Sequence, residues 1–533
     1  MSDRHASWSR SILAPASIAC RRSGIRLVRC ALAFLLCVVS ARGDLDAAPP
    51  SVRPNILWIC ADDLAAYACG AYGGQRARTP SIDRLAARGM RFDRAFCNSP
   101  VCTASRQSFL TGRYPRTIGV TQLSTPLPDS EQTLAELLGD AGYQTAAIGK
   151  MHFNSDLRHG FELRLDLPDF QRLLKDRGAR PVPAGIAVQP LWKPFRDPAR
   201  IWLNSACLPS GAFDADMPGT WLAQQAAEYL TSRRDNAAAS APFLLMVSFY
   251  EPHSPFHFPI EYRDRMRPAD FAVPSVGPDD DSQIPAIFRD LTPLEKQGIA
   301  AAYHTSVEFL DRNVGLVLEG LERSGVADNT LVVFTGDHGY LLGHHGCFEK
   351  HCSFDEAIRA PLLVSLPGRI ASKGKSSALV EFIDLAPTLL EYCGLQSPAK
   401  MQGKSLVPLL SGQTARHRGA VFVEYSENEE AAIRTERWKF IYGTGQRERQ
   451  DGYTTGRPLP GRTIRLYDLS VDPGELNNLA DDPAHADQVV LFTRQLATHL
   501  RQTARQPELI PQTDDLETVL NYCLAPRDVS QDR

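Results

Sequence analysis

Four almost wholly apolar runs are spread along the first two thirds of the chain, and a polar segment directly follows each of them. The runs occupy residues 55–60, 143–148, 243–249 and 330–335. Apolar runs of this length, without polar alternation, are typical of strands that are buried on both faces. We therefore predict that these segments are central strands of one sheet.

Segments with a helical period lie between the runs. In the clearest one, apolar residues recur at three- and four-residue steps from Ile299 to Leu321. Helices alternating with buried strands over residues 55–390 predict an α/β fold with a doubly wound, mainly parallel sheet and helices on both faces. The stretch 154–218 has no sustained period, and we expect it to be irregular. Shorter helices are predicted at residues 80–89, 103–110, 133–142 and 221–230.

The composition changes near residues 401–406, beyond which the apolar segments are shorter. Segments 421–425, 438–442 and 466–469 predict short strands. We therefore divide the chain into a larger N-terminal domain, residues 51–410, and a small C-terminal α+β subdomain, residues 411–533.

The N-terminal residues 1–43 have the features of an export signal. Several arginines precede an apolar run at residues 31–39, and Ala41 and Gly43 are the small residues that a signal peptidase recognises. The run of about a dozen apolar residues is too short to span a bilayer. We predict a secreted or periplasmic protein that has no membrane anchor after cleavage.

The chain of 533 residues is too long for one ordinary core, and its formal net charge is only −3. A basic field that attracts polyanions is therefore excluded, and we expect no nucleic-acid partner. Any anionic substrate must be held by a few local cationic groups.

Chemically reactive side chains follow the four apolar runs. In doubly wound sheets, ligands bind beyond the carboxyl ends of the strands, so these residues are expected to form one site. The adjacent carboxylates of Asp62 and Asp63 repel each other, and a bound cation would stabilise both as anions. A zinc site is not indicated, because the histidine spacing after residue 337 fits no H-x-x-x-H pair. The reactive side chains that follow the four apolar runs, and that we expect to form this site, belong to Asp62, Asp63, Lys150, His152, His253, Asp337 and His338.

A second reactive segment surrounds Cys102, at the start of the predicted helix 103–110. The first turn of a helix presents unpaired N–H groups to an anion, and Arg106 lies one turn further on the same face. For an isolated C-x-x-x-R pair, a buried structural cysteine beside a solvated arginine is the commoner interpretation. The reactive segments that follow the four predicted strands favour a functional interpretation of Cys102 and Arg106 instead.

The segment 99–113 resembles the sulfatase signature C-x-P-S-R followed by T-G-R. Cys102, Ser105, Arg106 and residues 111–113 match it, and Ala104 stands where proline is usual. The motif G-D-H-G-Y-x-x-G-x-H-G from residue 336, followed by E-K-H, looks closest to the iduronate-2-sulfatase-like branch. The G-K-M-H-F motif from residue 149 also resembles choline sulfatases.

This resemblance identifies the chain as a member of the formylglycine-dependent type I sulfatases of the alkaline phosphatase superfamily. It implies an alkaline-phosphatase-like fold whose C-terminal subdomain has a short antiparallel sheet. It also implies that a formylglycine-generating enzyme converts Cys102 to formylglycine during maturation. A divalent metal, Ca²⁺ with Mg²⁺ as the alternative, is implied at Asp62, Asp63, Cys102, Asp337 and His338.

The resemblance further implies that a hydrated formylglycine attacks the sulfur of a sulfate ester. His253, with Lys350, would protonate the departing alcohol, and His152 would deprotonate the second hydroxyl to release sulfate. The implied catalytic residues are Cys102, Arg106, Lys150, His152, His253 and Lys350.

The substrate inferred from this branch is a sulfated carbohydrate, or another small sulfate ester. The alternatives are a choline sulfatase, an arylsulfatase, and a phosphonate or phosphate ester hydrolase of the same superfamily. An inactive relative that binds sulfated glycans is a fourth alternative.

Overall fold

The structure is a computed structural model that describes residues 53–178, 180–189, 203–235, 241–449 and 453–529. The predicted export signal, residues 1–43, lies outside these ranges. From Arg53 onward the chain forms one compact unit. Within the described residues, no helix combines the length and apolar character needed to cross a membrane.

The chain contains fourteen strands and thirteen α-helices within the described residues. The strands are β1 (Asn55–Ala61), β2 (Met90–Phe92), β3 (Ala95–Phe96), β4 (Gln144–Gly149), β5 (Leu163–Leu165), β6 (Phe243–Ser248), β7 (Thr330–Gly336), β8 (Leu362–Ser365), β9 (Gly374–Ser376), β10 (Val380–Glu381), β11 (Ala420–Tyr425), β12 (Glu430–Thr435), β13 (Trp438–Gly443) and β14 (Thr463–Asp468). The helices are α1 (Pro80–Arg88), α2 (Cys102–Thr111), α3 (Pro115–Ile118), α4 (Leu134–Asp140), α5 (Leu167–Arg177), α6 (Pro218–Asp235), α7 (Ala286–Arg289), α8 (Pro293–Ser324), α9 (Asp355–Ile358), α10 (Leu385–Tyr392), α11 (Val407–Leu410), α12 (Ala486–Thr503) and α13 (Leu516–Leu524).

The main sheet has eight strands in the order β5-β4-β6-β1-β7-β8-β2-β9. Neighbouring strands are parallel, except that β8 runs antiparallel to β7 and β2. The four predicted apolar runs are the adjacent central strands β4, β6, β1 and β7. Helices α1 and α6 both pack against α8, and α2, α4 and α10 contact one another, so two helical layers enclose the sheet. The predicted doubly wound, mainly parallel fold is confirmed.

Helix α8 is longer than the periodic segment that predicted it. It begins six residues earlier, because Thr292 and Glu295 form a capping box and Pro293 occupies the first turn. Gly325 ends the helix in the left-handed conformation, with φ of 76°. The apolar positions from Ile299 to Leu321 are buried, which confirms their prediction as core.

The expectation that residues 154–218 are irregular is wrong in its first part. Strand β5 pairs in parallel with β4 at the edge of the sheet. Helix α5 follows at once and begins with a capping box between Asp166 and Asp169. A strand of three residues and a helix with one buried apolar residue, Phe170, give no periodic signal.

The C-terminal sheet is a four-stranded antiparallel meander in the order β11-β12-β13-β14. Its three predicted strands are present, whereas β12 was not predicted. Helices α12 and α13 pack against this sheet through a second apolar cluster that includes Phe440, Leu466 and Phe492. The implied short antiparallel sheet is confirmed, and the domain boundary between residues 410 and 411 stays a prediction.

Candidate active site

The carboxyl ends of the four central strands meet at one edge of the sheet, as predicted. Asp62 and Asp63 directly follow strand β1, and Lys150 directly follows β4. Strand β6 leads to the turn of His253, and β7 to the pair 337–338. Because parallel strands carry their ends to the same side, residues far apart in sequence converge there.

Helix α2 places Cys102 at this edge, as its first residue and with 1% of its surface exposed. The Cys102 Sγ lies 3.0 Å from Lys350 Nζ and 3.2 Å from His338 Nε2. Burial opposes ionisation of the thiol, but the ammonium groups of Lys150 and Lys350 outweigh it and hold the pKa of Cys102 well below its usual range. The site is therefore built to stabilise negative charge at position 102.

Four side chains offer ligand atoms that lie within 4.8 Å of one another: Asp62, Asp63, Cys102 and His338. The Oδ2 atom of Asp63 is buried and has no hydrogen-bond partner among the described residues. The Nδ1 atom of His338 lies 3.0 Å from the carbonyl oxygen of Gly339, which leaves Nε2 free to face the cluster. An orphaned carboxylate oxygen and an oriented imidazole fit a divalent cation, and the carboxylate oxygens favour Ca²⁺ or Mg²⁺.

Asp337, the fifth predicted metal ligand, adjoins this group of four. Its Oδ1 accepts hydrogen bonds from the backbone N–H of Asp63, at 3.1 Å, and of His338, at 3.0 Å. The same oxygen lies 3.6 Å from His338 Nε2. Burial raises the pKa of Asp337 to about 7, although His338 and Arg106 oppose the shift. A further positive neighbour would therefore stabilise Asp337 as an anion.

Arg106, predicted to lie on the same helix face as Cys102, contacts the carboxylates of the cluster. Its Nε donates to Asp337 Oδ2 at 2.8 Å, and a terminal nitrogen lies 3.4 Å from Asp62 Oδ1. The remaining donor bonds, to the Lys150 carbonyl and the Ser248 hydroxyl, are 2.7 and 2.6 Å long. The guanidinium is fully buried beneath the cavity, so it positions the carboxylates and does not line the space above Cys102.

The two predicted acid–base histidines have opposite electrostatic surroundings. Burial lowers the pKa of His152, and its Nδ1 has no hydrogen-bond partner among the described residues. Burial also opposes protonation of His253, but the Asp63 carboxylate, 4.0 Å from its Nε2, outweighs it and raises the pKa. Environments that separate two pKa values in this way suit a base and an acid.

These residues open into a cavity of about 1020 Å³. Its floor contains Cys102, Asp63, Lys150, His152, His253 and Lys350. One wall comes from residues 122–124 and 153–155, and another from the hairpin loop between β13 and β14. The volume far exceeds that of a sulfate group, so the cavity has room for the alcohol part of an ester.

The wall at residues 121–125 is tethered by a residue near the other end of the described chain. The Asp528 carboxylate accepts hydrogen bonds from the backbone N–H of Thr121, at 3.0 Å, and of Gln122, at 2.9 Å. It also accepts from the hydroxyls of Thr121 and Thr125. The C-terminal residues therefore shape the cavity without contacting its floor.

Comparison with protein families gives a direct assignment. The family model described as Sulfatase matches residues 54–395. A second model, N-sulphoglucosamine sulphohydrolase, C-terminal, matches residues 343–506. The chain belongs to the sulfatase family. This sulfatase is accordingly a sulfuric ester hydrolase, and the recognition of its family from the Cys102 segment is confirmed.

The relatives of this sulfatase act on different esters. An N-acetylglucosamine-6-O-sulfatase of Bacteroides thetaiotaomicron is 29% identical over 528 residues, covering 88% of this chain and 89% of the relative. A choline-sulfatase of Rhizobium meliloti is 29% identical over 467 residues, covering 82% and 85%. The solved phosphonate monoester hydrolase of Agrobacterium radiobacter superposes with a TM-score of 0.71 at 24% identity, covering 87% of this chain and 98% of that chain, and supports the fold alone.

Sequence reasoning missed the residues that form the cavity walls. Arg164, Tyr250 and Arg447 all line the cavity of this sulfatase. Arg164 and Arg447 lie in short or irregular segments, where no period or strand end marks them. Ser248, which accepts a hydrogen bond from Arg106, had a weak signal, because it is a polar residue near the end of the apolar run 243–249 and is the last residue of β6.

Proposed function

We propose that this sulfatase hydrolyses a sulfate ester of a carbohydrate, in the manner of the iduronate-2-sulfatase-like branch. Formylglycine made from Cys102 is the proposed nucleophile, and a divalent cation, Ca²⁺ or Mg²⁺, is its proposed cofactor. The observation that carries this proposal is the position of Cys102 Sγ, 3.0 Å from Lys350 Nζ and at the floor of a cavity of about 1020 Å³.

Formylglycine would supply two hydroxyls on one carbon when hydrated, so that one can take the sulfuryl group and the other can release it. The cation, held by Asp62, Asp63, Asp337, His338 and residue 102, would offset the charge of the sulfate oxygens. Lys150 and Lys350 line the same floor and would bind those oxygens directly. Such local cations are required because the chain has almost no net charge.

His253 is the proposed general acid and His152 the proposed general base. The raised pKa of His253 favours its protonated form, which can donate a proton to the departing alcohol oxygen. The lowered pKa of His152 favours its neutral form, which can accept the proton of the second hydroxyl. Arg106 is a positioning residue in this scheme, because its contacts are with Asp62 and Asp337.

Maturation and export are parts of the same proposal. The chain would carry an export signal at residues 1–43, act in the periplasm or outside the cell, and depend on a formylglycine-generating enzyme. Residues 51–410 would form the catalytic domain, and residues 411–533 would close one side of its cavity.

The test is to coexpress the wild-type chain and Cys102→Ser with a formylglycine-generating enzyme. The wild type should show the intact mass of an aldehyde at position 102 and release sulfate over many turnovers, whereas Cys102→Ser should lose turnover by about 10⁴-fold or more. Sulfated oligosaccharides, choline sulfate, an aryl sulfate and a phosphonate ester would be compared. Full activity of Cys102→Ser would contradict the mechanism, and binding of sulfated glycans without hydrolysis would indicate the inactive relative.

A further inference from the structure

The loop between β13 and β14 brings Arg447 to the cavity. Arg447 is half-buried and lines the same cavity as Cys102. Within the described part of the chain it makes no hydrogen bond, ion pair or ring contact. The site already described uses Lys150 and Lys350 as its cations, so the free guanidinium of Arg447 has no role there.

The other cations on the cavity surface are all engaged. Lys150 pairs with Asp62, and Lys350 pairs with Asp63 at 2.6 Å. Arg164 lies 4.0 Å from the Asp166 carboxylate and over the ring of Phe153. Among the described cationic side chains that line this cavity, Arg447 therefore differs from the others in having no protein partner.

Its sequence neighbour shows that the loop does not simply expose basic residues. Arg449 makes a two-pronged ion pair with Glu349, at 3.2 and 2.6 Å. One arginine of the loop therefore fastens it to the body of the protein, while Arg447 is left facing the cavity. A half-buried guanidinium loses hydration without gaining a protein partner, which is costly unless a ligand supplies the acceptors.

Two carboxylates, those of Asp166 and Glu427, also line the walls of this cavity. Asp166 accepts from the Tyr250 hydroxyl at 2.7 Å and from the backbone N–H of Leu167 at 2.7 Å. Glu427 accepts from the backbone N–H of Leu123 at 3.2 Å. Among the described residues neither carboxylate has a hydrogen bond or ion pair with Arg447, so its guanidinium stays available to a substrate anion.

We propose that Arg447 binds a second anionic group of the substrate, so that this sulfatase prefers sugar fragments with a carboxylate or a further sulfate besides the ester it cleaves. The inference rests on the proposed function. The planar guanidinium fork matches the oxygens of either group in a bidentate arrangement. Arg447 is thereby a specificity-determining residue that contacts the part of the substrate outside the reacting sulfate.

The experiment compares kcat/KM of the wild type, Arg447→Gln and Arg447→Lys on matched sulfated sugars. One sugar has no other charge, one carries a carboxylate, and one carries a second sulfate. Arg447→Gln should lose about 10- to 100-fold on the doubly charged sugars, mainly through KM, and less than about twofold on the singly charged one. Arg447→Lys should fall between, because it keeps the charge but not the fork.

Arg462→Gln is the matched control, because Arg462 lies in the same loop but pairs with Glu517 at the surface. It should behave as the wild type on every sugar, and thermal unfolding should show that all variants are folded. The carboxylate and sulfate arms identify which group Arg447 binds.

An equal loss for Arg447→Gln on all sugars would mean a structural role, and no loss on any would mean that Arg447 does not contact substrate. Either result overturns the inference. A wild type that prefers the singly charged sugar or choline sulfate would also overturn it, while leaving the proposed sulfate hydrolysis intact. A wild type without activity on any sulfate ester would reject both.

Discussion

Asp63 at the floor of the cavity and Asp384 just before helix α10 are both carboxylates with almost no exposed surface. Asp384 has all its hydrogen-bonding capacity in use: it accepts from Arg418 Nε at 2.9 Å, from His417 Nε2 at 3.0 Å and from the backbone N–H of Lys404 at 2.7 Å. Asp63 retains an oxygen without a hydrogen-bond partner among the described residues.

The two regions show what separates a buried charge that stabilises from one that functions. Around Asp384 burial opposes ionisation, but Arg418 prevails and lowers the pKa of the carboxyl to about 2. In the active-site cluster the balance differs between neighbours: burial prevails at Asp337 and raises its pKa to about 7, whereas at Asp62 the surrounding cations outweigh burial and lower the pKa. A fully satisfied network holds the fold together, whereas an incompletely satisfied one retains binding capacity for a ligand.

The largest expected effect is that of Asp63→Asn on catalysis. Removing this charge takes away the orphaned oxygen that fits the cation, so kcat should fall by about 10³-fold or more. Sulfate release would be measured beside thermal unfolding. Asp93→Asn, at an exposed carboxylate paired with Arg91, is the control and should keep full activity. A wild-type rate for Asp63→Asn would break the distinction between the two clusters.

Asp384→Asn should have the opposite effect, lowering stability and leaving catalysis unchanged. Removing the anion leaves the buried Arg418 guanidinium with Glu381, 3.1 Å away, as its remaining carboxylate partner among the described residues, and this should cost about 3 kcal/mol of unfolding free energy. The kcat of the folded fraction should be unchanged, because Asp384 does not line the cavity. Denaturant unfolding and active-site titration would separate the two quantities. A catalytic loss without destabilisation would refute the assignment.

Removal of the proposed cation should change turnover and stability through the floor residues and should leave the Asp384 network intact. If it is bound at a hundredfold excess over its Kd, chelation should lower the unfolding free energy by about 3 kcal/mol and abolish turnover, both reversibly. Asp63→Asn should show no such shift. Restoration by Ca²⁺ or Mg²⁺ but not by Zn²⁺ would support the oxygen-rich site, and indifference to chelators would exclude a cation there.

The smallest expected effect is the pH dependence of stability due to His499. This histidine lies near Arg418, the arginine that pairs with Asp384. Burial, assisted by Arg116 and Arg418, lowers the pKa of His499 to about 3. The unfolded chain binds this proton from about pH 6.5 downward and the folded chain does not, so stability is complete above pH 6.5 and falls as the pH drops. The contribution should reach about 1.4 kcal/mol per pH unit between pH 5.5 and 3.5.

His499→Gln cannot titrate and should have a shallower dependence of unfolding free energy on pH, by about one proton. Denaturant unfolding from pH 7.5 to 4.5 would measure it. Parallel curves for the two proteins would show that His499 is protonated equally in both states.

Those parts of the fold that produce a repeated local pattern in the sequence could be predicted from it. Uninterrupted apolar runs marked the central strands, and the residues after them converge because parallel strands end on one side. The direction of Arg106 was not predictable in this way. Helical spacing places it on the face of Cys102, but the nearby carboxylates of Asp62 and Asp337 attract the guanidinium under the floor.

The walls were beyond prediction for a different reason. Strand β5 has three residues, and Arg447 lies in a loop whose position depends on the ion pair between Arg449 and Glu349, a hundred residues apart. Such tertiary contacts leave no period in the sequence. The convergence of the floor residues was therefore predictable from sequence, whereas the residues of the cavity walls were not.

The tether of Asp528 to the segment 121–125 links the last part of the described chain to substrate choice. A proteolytic cut between residues 524 and 528 would spare every group at the floor but free the wall that carries Gln122. The cleaved enzyme would still hydrolyse a small ester but would bind a larger one less tightly. Preparations with different degrees of cleavage would therefore show different substrate preferences.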